Sequence, residues 1–193
     1  MIPTEQDKEK VRRIQAVVLD FDGTLTDNCE LIGFGEAMVK GRSHSDGQGI
    51  SLLRDIGLRI AIATNEIEES AIVARYLVRK WNNLPSTKAR ENPWPPINIF
   101  CGVGHISKWE AVRGWLDGLS IDPAYCAAMG DDLVDWPLLQ QVGYRAAPVT
   151  AETVIKEIAD FVSDREAGHG AVRDFANFIL ACRGIDQTKL RPF

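Results

Sequence analysis

The 193-residue chain has no apolar run approaching the ~20 residues of a membrane-spanning helix. Residues 1–8 contain no apolar region of the kind found in signal peptides. Positively charged residues are outnumbered: the chain has 22 Lys and Arg residues and 27 Asp and Glu residues. This balance argues against a protein that binds nucleic acid mainly by electrostatic attraction. We therefore expect a single domain spanning residues 1–193, located in the cytoplasm, with neither membrane nor nucleic acid among its partners.

Cysteine is scarce and scattered. Cys29, Cys101, Cys126 and Cys182 have no close pair, so their spacing does not predict a zinc site. A disulfide framework is not expected for a cytoplasmic chain of this size. Three of them are flanked by apolar residues, and we interpret these as small, buried apolar side chains.

Strand-like apolar runs alternate with amphipathic, helix-like stretches. This alternation predicts βαβ units, and therefore an α/β fold with a mainly parallel sheet covered on both faces. The strand-like runs are residues 16–19, 59–63, 97–101, 125–129, 144–147 and 161–163. The helix-like stretches are residues 49–56, 68–80, 106–116, 133–141, 151–158 and 171–181.

Two segments interrupt the alternation. Residues 28–46 contain three glycines among short apolar pairs, which predicts a β-hairpin inserted after the first strand. Residues 81–96 contain four prolines, a density that predicts a long irregular loop without helix.

Two carboxylates, Asp20 and Asp22, follow the first apolar run directly. At a strand end, residues i and i+2 point to the same side, so the pair suits a divalent cation or phosphoryl transfer. One carboxylate can attack phosphorus while the other moves protons, and Gly23 permits a tight turn beside the ligand. The alternative is a helix N-cap or Asx-turn. An EF-hand fits poorly because no Glu stands at the twelfth loop position.

Two further polar residues stand at the boundaries of predicted elements. Thr64 ends the second apolar run, where a hydroxyl suits a phosphoryl oxygen; the alternative is a helix cap. Lys108 opens a predicted helix, where a cation is unfavourable against the helix dipole and so indicates a nearby anion. A solvated surface lysine is the alternative.

Three carboxylates, Asp131, Asp132 and Asp135, lie within five residues at a strand-to-helix transition. Oxygen ligands of this kind suit Mg²⁺. The alternative is an acidic helix N-terminus, which the helix dipole favours. Because the carboxyl ends of parallel strands meet at one edge of a sheet, Asp20, Thr64 and Asp131 should lie together there.

This set of residues resembles the motifs of the haloacid dehalogenase superfamily of phosphotransferases. The segment 20–24 (DFDGT) matches the first motif, Thr64 the second, Lys108 the third, and Gly130-Asp131 with Asp135 the fourth. The resemblance implies a Rossmann-like three-layer sandwich.

The same resemblance implies roles for the catalytic side chains. Asp20 is expected to be the phosphorylated nucleophile and Asp22 the general acid and base. Thr64 and Lys108 are expected to bind phosphate, with Lys108 also orienting Asp20.

It also implies a Mg²⁺ site. The carboxylates of Asp20 and Asp131 and the backbone carbonyl of Asp22 are expected to hold the ion. Asp135 is expected to support the water shell of the metal, with Asp132 beside it.

A narrower resemblance covers nearly the whole chain. Residues 45–50, 130–137 and 168–173 are similar to the 3-deoxy-D-manno-octulosonate 8-phosphate phosphatases. Related proteins are nonulosonate 9-phosphate phosphatases and the C-terminal domain of some acylneuraminate cytidylyltransferases. The resemblance implies no large cap domain, and a homotetramer in which a neighbour's hairpin and C-terminal tail help to cover the active site.

The substrate-binding positions depart from the octulosonate pattern. Asn65 stands where those enzymes usually have Gly, and Glu66 where they usually have Arg, which brings this chain closer to the nonulosonate members. Arg173, in the turn 168–173 that also holds His169, is a further candidate for binding a carboxylate or phosphate. A helix cap with a surface arginine is the alternative for that turn.

The sequence therefore predicts a Mg²⁺-dependent phosphatase that acts on a phosphorylated sugar acid through an aspartyl-phosphate. One alternative is a phosphotransferase or mutase of the same fold. Another is a non-catalytic tetramerisation domain, which predicts the loss of at least one of the motif residues. Asp20, Asp22, Lys108 and Asp131 are all present, which favours the enzyme.

Overall fold

The computed structural model describes residues 2–32, 38–84 and 93–190. Its strands are β1 (Ala16–Leu19), β2 (Thr26–Ile32), β3 (Met38–Arg42), β4 (Arg59–Thr64), β5 (Asn98–Cys101), β6 (Cys126–Met129), β7 (Tyr144–Ala147) and β8 (Phe161–Val162). Its α-helices are α1 (Glu5–Arg12), α2 (His44–Asp55), α3 (Ile72–Asn82), α4 (Ile106–Gly118), α5 (Trp136–Leu139), α6 (Thr153–Ile158) and α7 (Ala171–Cys182).

Six strands form one parallel sheet in the order β5-β4-β1-β6-β7-β8. Strand β1 lies inside the sheet, with Leu19 paired to Ile62 of β4 on one side and to Met129 of β6 on the other. The predicted parallel sheet is confirmed. Because all six strands run the same way, their carboxyl ends share one edge.

Apolar side chains cover both faces of this sheet. Successive residues of a strand point to opposite faces, so Val17 and Leu19 join one core while Ala16 and Val18 join the other. Helices α1, α2, α3 and α7 contribute buried residues to the first core, and α4, α5 and α6 to the second. The three-layer α/β sandwich without a large cap domain is thus confirmed.

Strands β2 and β3 form a separate antiparallel hairpin, with Glu30 opposite Lys40 and Leu31 opposite Val39. The hairpin is present, but the predicted bounds of 28–46 were wrong at both ends. Strand β2 already begins at Thr26, and residues 44–46 belong to α2 because the Ser43 side chain caps that helix by accepting from the Ser45 N–H (3.0 Å). Residues 33–37 lie outside the described part.

The predicted loop 81–96 begins later than expected. Trp81 and Asn82 form the last turn of α3, since the first proline of the segment comes only at position 85. Residues 85–92 lie outside the described part. Arg54 Nε donates to the carbonyl of Pro95 (3.0 Å), which fixes the returning chain beside α2. This end of the segment leads into the amino end of β5, at the sheet edge opposite the carboxyl ends.

The amino-terminal helix α1 was not predicted. Thr4 and Asp7 cap it reciprocally, a signal that the polar sequence does carry. The interpretation of the cysteines holds for Cys126 and Cys182, which are buried, whereas Cys101 is partly buried and Cys29 is exposed on β2. Within the described ranges, no helix has both the length and the apolar character to span a membrane.

Candidate active site

The carboxyl ends of β1, β4 and β6 meet around a cleft of about 150 Å³. Asp20 directly follows β1, Thr64 ends β4 and Asp131 follows β6 by one residue, so the sheet itself brings them together. The cleft is lined by Asp20, Asp22, Asn28, Thr64, Asn65, Glu66, Asp131, Asp132 and Val134. Seven of the residues that the sequence singled out thus share one cleft.

Lys108 lies buried beneath this cleft, in the first turn of α4. Its Nζ lies 2.7 Å from Asp20 Oδ1 and 2.6 Å from Asp135 Oδ1. Burial lowers the pKa of Lys108, but the charges of the two carboxylates outweigh it and leave the pKa above its ordinary value. The anion that a lysine at a helix start indicated is therefore this pair of carboxylates.

Asp135 connects Lys108 to the strand end after β6. While its Oδ1 accepts from Lys108, its Oδ2 accepts from the backbone N–H of Asp131 (3.0 Å). A Cβ at Gly130 would lie 2.4 Å from Asp135 Cγ, so the turn approaches this carboxylate too closely for any side chain. Both oxygens of Asp135 are used in holding neighbours, whereas Asp132 lines the cleft and is exposed.

The residues present fit a divalent cation. Carboxylate oxygens of Asp20, Asp131 and Asp135 lie within 4.8 Å of one another. Burial, followed by the charge of Asp135, raises the pKa of Asp131 to about 7 and that of Asp20 well above its usual range. One buried lysine does not neutralise three buried carboxylates, and hard oxygen donors are what Mg²⁺ prefers. Gly23 (φ 85°) closes the corner, since a Cβ there would lie 1.9 Å from Asp131 Oδ2.

Asp22 is held from two sides by the hairpin. Its Oδ1 accepts from the Thr26 hydroxyl (3.0 Å), and its Oδ2 lies 2.8 Å from Lys40 Nζ. The same Nζ lies 3.4 Å from Glu66 Oε1 and 3.9 Å from Glu30 Oε1. The sequence analysis missed Thr26 and Lys40, because a lysine on a short exposed hairpin has no local signal for burial.

The segment after β4 borders the cleft. The backbone N–H of Glu66 donates to Thr64 Oγ1 (3.1 Å), and α3 begins only at Ile72, so Thr64 does not cap that helix. A hydrogen bond from Ser70, followed by the charge of Lys40, outweighs burial and lowers the pKa of Glu66. Asn65 and Glu66 line the cleft together with Asp22, and their role as substrate contacts stays a prediction.

Arg173 is not brought to the cleft in the described part of the chain. Its Nε donates to Asn177 Oδ1 (2.9 Å) and its Nη2 to Gln187 Oε1 (3.2 Å). Its backbone N–H and that of Gly170 donate to the buried carboxylate of Asp46 (2.9 and 3.2 Å). The turn therefore ties the start of α7 to α2, and a substrate contact by Arg173 stays a prediction.

Residues 60–175 match the model of the haloacid dehalogenase-like hydrolases. The chain belongs to this family. It is 30% identical to the 3-deoxy-D-manno-octulosonate 8-phosphate phosphatase KdsC of Escherichia coli K12 over 182 residues, which cover 93% of this chain and 87% of that protein. The prediction of a phosphatase of the haloacid dehalogenase type is confirmed.

Solved structures show the same fold. The cobalt-bound deoxy-D-mannose-octulosonate 8-phosphate phosphatase of Haemophilus influenzae is 26% identical, with a TM-score of 0.75 over 91% of this chain and 92% of that one. The Moraxella catarrhalis phosphatase, solved with magnesium, phosphate and a KDO molecule, is 23% identical, with a TM-score of 0.79 over 94% of both chains. The second likeness is one of fold alone.

Proposed function

We propose that this member of the haloacid dehalogenase-like hydrolases is a Mg²⁺-dependent phosphatase that hydrolyses the phosphate monoester of a sugar acid through an aspartyl-phosphate on Asp20. One observation carries the proposal. The buried Asp20 carboxylate is oriented by Lys108 at the floor of a cleft that also contains Asp22, Thr64 and Asp131. A nucleophile, a proton carrier and hard oxygen ligands are the parts that this chemistry needs.

In the first step, a carboxylate oxygen of Asp20 attacks phosphorus and the bond from phosphorus to the ester oxygen breaks. Lys108 Nζ donates a hydrogen bond to Asp20 Oδ1, and this contact fixes the orientation of the other carboxylate oxygen, Oδ2. Asp22 gives its proton to the departing ester oxygen. Thr64 and Lys108 donate hydrogen bonds to the phosphoryl oxygens.

In the second step, Asp22 takes a proton from a water molecule that attacks the same phosphorus. The bond from phosphorus to Asp20 breaks, so inorganic phosphate leaves and the carboxylate is restored. Asp20, Asp131 and the backbone carbonyl of Asp22 would hold Mg²⁺, which supplies positive charge against the phosphate. Asp135, with Asp132 beside it, would keep these ligands and their water in place.

The relatives named above act on octulosonate 8-phosphate, and a phosphorylated sugar acid is accordingly the proposed substrate class. The resemblance of this chain to the nonulosonate members at Glu66 favours a nonulosonate 9-phosphate over octulosonate 8-phosphate. Asn65 and Glu66 are the proposed substrate contacts. Turnover of octulosonate 8-phosphate and of nonulosonate 9-phosphates, measured side by side as phosphate release, tests this choice.

The substitution Asp20→Asn tests the mechanism. We expect a loss of about 10⁴-fold or more in kcat with an unchanged circular-dichroism spectrum, because the nucleophile is removed and its shape is kept. Asp117→Asn is the matched control, since Asp117 is exposed on α4, pairs with Arg113 and is not among the residues that line the cleft. Retained activity in Asp20→Asn contradicts the aspartyl-phosphate, and full activity in excess EDTA contradicts the metal.

The proposal includes a homotetramer in the cytoplasm. The cross-strand pair Leu31 and Val39 is 70% and 57% exposed on the hairpin, an apolar surface that a second copy would cover. Native mass spectrometry tests the assembly. A monomer with full activity contradicts the tetramer. A tetramer that hydrolyses none of the tested esters favours the alternative, a non-catalytic tetramerisation domain.

A further inference from the structure

Lys40 reaches the candidate active site from the hairpin. Its side chain is 4% exposed and lies between Asp22 Oδ2 and Glu66 Oε1, at 2.8 and 3.4 Å from Nζ. It lines a space of about 160 Å³ that shares Asp22, Asn28 and Glu66 with the main cleft. The hairpin thus contributes a cation beside Asp22, in a space that adjoins the main cleft.

Strand β3 exposes an apolar side chain and buries a charged one, which is the reverse of an ordinary amphipathic strand. Val39 is 57% exposed, whereas its neighbour Lys40 is buried. Burying an ammonium group costs free energy unless carboxylates pair with it, and exposing a valine gains nothing in a monomer. The arrangement therefore indicates a function for Lys40 at the carboxylates it contacts.

The two strands of the hairpin hold the two oxygens of Asp22 separately. The ammonium of Lys40 can only donate, so Oδ2 must accept. The hydroxyl of Thr26 can donate or accept, so Oδ1 can carry a proton. These contacts fix the plane of the carboxyl group.

We propose that Lys40 is a positioning residue that holds Asp22 in the orientation from which it gives its proton to the leaving-group oxygen. The inference rests on the proposed phosphatase function. As the ester bond breaks, the proton moves from Asp22 Oδ1 to the ester oxygen, and the new carboxylate remains paired with Lys40. Glu66 and Glu30 also lie within 4.0 Å of Lys40 Nζ, so the lysine is itself held in place beside Asp22.

Two simple phosphate esters separate this role from substrate binding. Butyl phosphate needs a proton donor because its alkoxide leaves poorly, whereas 4-nitrophenyl phosphate releases a stable phenolate. Neither carries a sugar acid's carboxylate. We expect Lys40→Met to lower kcat/KM for butyl phosphate about 10- to 100-fold, part of what general acid catalysis contributes, and for 4-nitrophenyl phosphate less than about 3-fold.

Rescue by a conservative variant completes the comparison. Lys40→Arg should return kcat/KM for butyl phosphate to within about 10-fold of the wild type, since a cationic donor is restored. Lys40→Gln, a neutral donor, carries the same expectation as Lys40→Met if the methionine variant does not fold. Equal losses on both esters overturn the proposal.

Two further measurements locate the effect. Lys10→Met, which removes a lysine 3.0 Å from Asp160 and outside the cleft lining, should leave both esters unaffected. The double variant Asp22→Asn/Lys40→Met should be no slower than Asp22→Asn, because Lys40 acts through Asp22. A further 10-fold drop overturns the proposal. A wild-type protein that hydrolyses neither these esters nor the sugar-acid phosphates overturns the proposed function, and the role of Lys40 with it.

Discussion

In the central sheet, strand β1 buries Val17 and Val18 completely, whereas in the hairpin strand β3 exposes Val39 and buries Lys40. The sheet strands are covered by helices on both faces, so apolar side chains stabilise them wherever they point. The described residues do not cover the apolar side chains of the hairpin in this way, and its buried lysine faces the cleft. The side chains of the sheet strands are those that stabilise the fold, whereas the side chains of the hairpin are those that the active site needs.

Two buried lysines give the largest test of this comparison. We expect Lys108→Met to lower the free energy of unfolding by about 3 to 5 kcal/mol, because it leaves Asp20 and Asp135 buried without their cation. Lys40→Met should cost only about 1 kcal/mol, since its partners Asp22 and Glu66 are 21% and 31% exposed and water can solvate them. Urea unfolding in EDTA measures both, and equal costs would contradict the distinction.

The glycine between sheet and hairpin provides the next test. Gly23 and Gly57 both have positive φ (85° and 83°). A Cβ added at Gly23 would lie 1.9 Å from Asp131 Oδ2, whereas a Cβ added at Gly57 would have no heavy atom within 4 Å. Gly57→Ala should cost about 1 kcal/mol for backbone strain alone. Gly23→Ala should cost about 2 to 5 kcal/mol and also weaken Mg²⁺ activation, because Asp131 must move.

Urea unfolding and the Mg²⁺ concentration for half-maximal phosphate release measure these effects. A Gly23→Ala variant with normal metal dependence would show that the corner does not shape the metal site. A loss of metal activation in Gly57→Ala would show that the effect is not local.

Two valines compare burial directly. Val17→Ala should lower the free energy of unfolding by about 2 kcal/mol at every protein concentration, because it removes buried methyl groups from the core. Val39→Ala should cost less than about 0.5 kcal/mol in dilute protein. Its cost should grow with concentration if a second copy covers the hairpin. Unfolding at two concentrations measures both, and a concentration-independent cost for Val39 would oppose the tetramer.

The same comparison explains how far the sequence could predict the structure. The parallel strands were predicted to within a residue or two, because strands buried on both faces read as continuous apolar runs. The motif residues at their ends could then be placed together, because parallel strands end at one edge. The grouping of Asp20, Thr64 and Asp131 could be predicted from the parallel strands alone, without knowledge of side-chain contacts.

The remainder depends on tertiary contacts that no local pattern encodes. Lys40 was missed because its burial comes from Asp22 and Glu66, which are 18 and 26 residues away. Helix α5 spans only Trp136–Leu139 instead of residues 133–141, since the chain before it turns to let Asp135 reach Lys108. The turn motif predicted Arg173 as a ligand; its guanidinium donates to Asn177 and Gln187 and does not line the cleft, and a substrate contact by Arg173 stays a prediction.

The smallest expected effect lies at Asp160, which directly precedes strand β8 and is away from both lysines of the cleft. Asp160 accepts from Arg145 Nε (2.8 Å) and Lys10 Nζ (3.0 Å). Burial raises the pKa of Asp160, but the hydrogen bonds from Arg145 outweigh it, so the folded-state pKa lies below its usual value. A depressed pKa stabilises the fold above the unfolded-state pKa of about 3.9, and this contribution is lost as the pH falls through the folded-state pKa.

We therefore expect Asp160→Asn to cost about 1 kcal/mol at pH 7 and clearly less at pH 3, as measured by urea unfolding at the two values. Phosphate release at pH 7 should not change, because Asp160 is not among the residues that line the cleft. An equal cost at both pH values would assign the effect to packing instead of charge. A loss of activity at pH 7 would mean that a substitution outside the cleft lining affects the active site, and would contradict the separation of their roles.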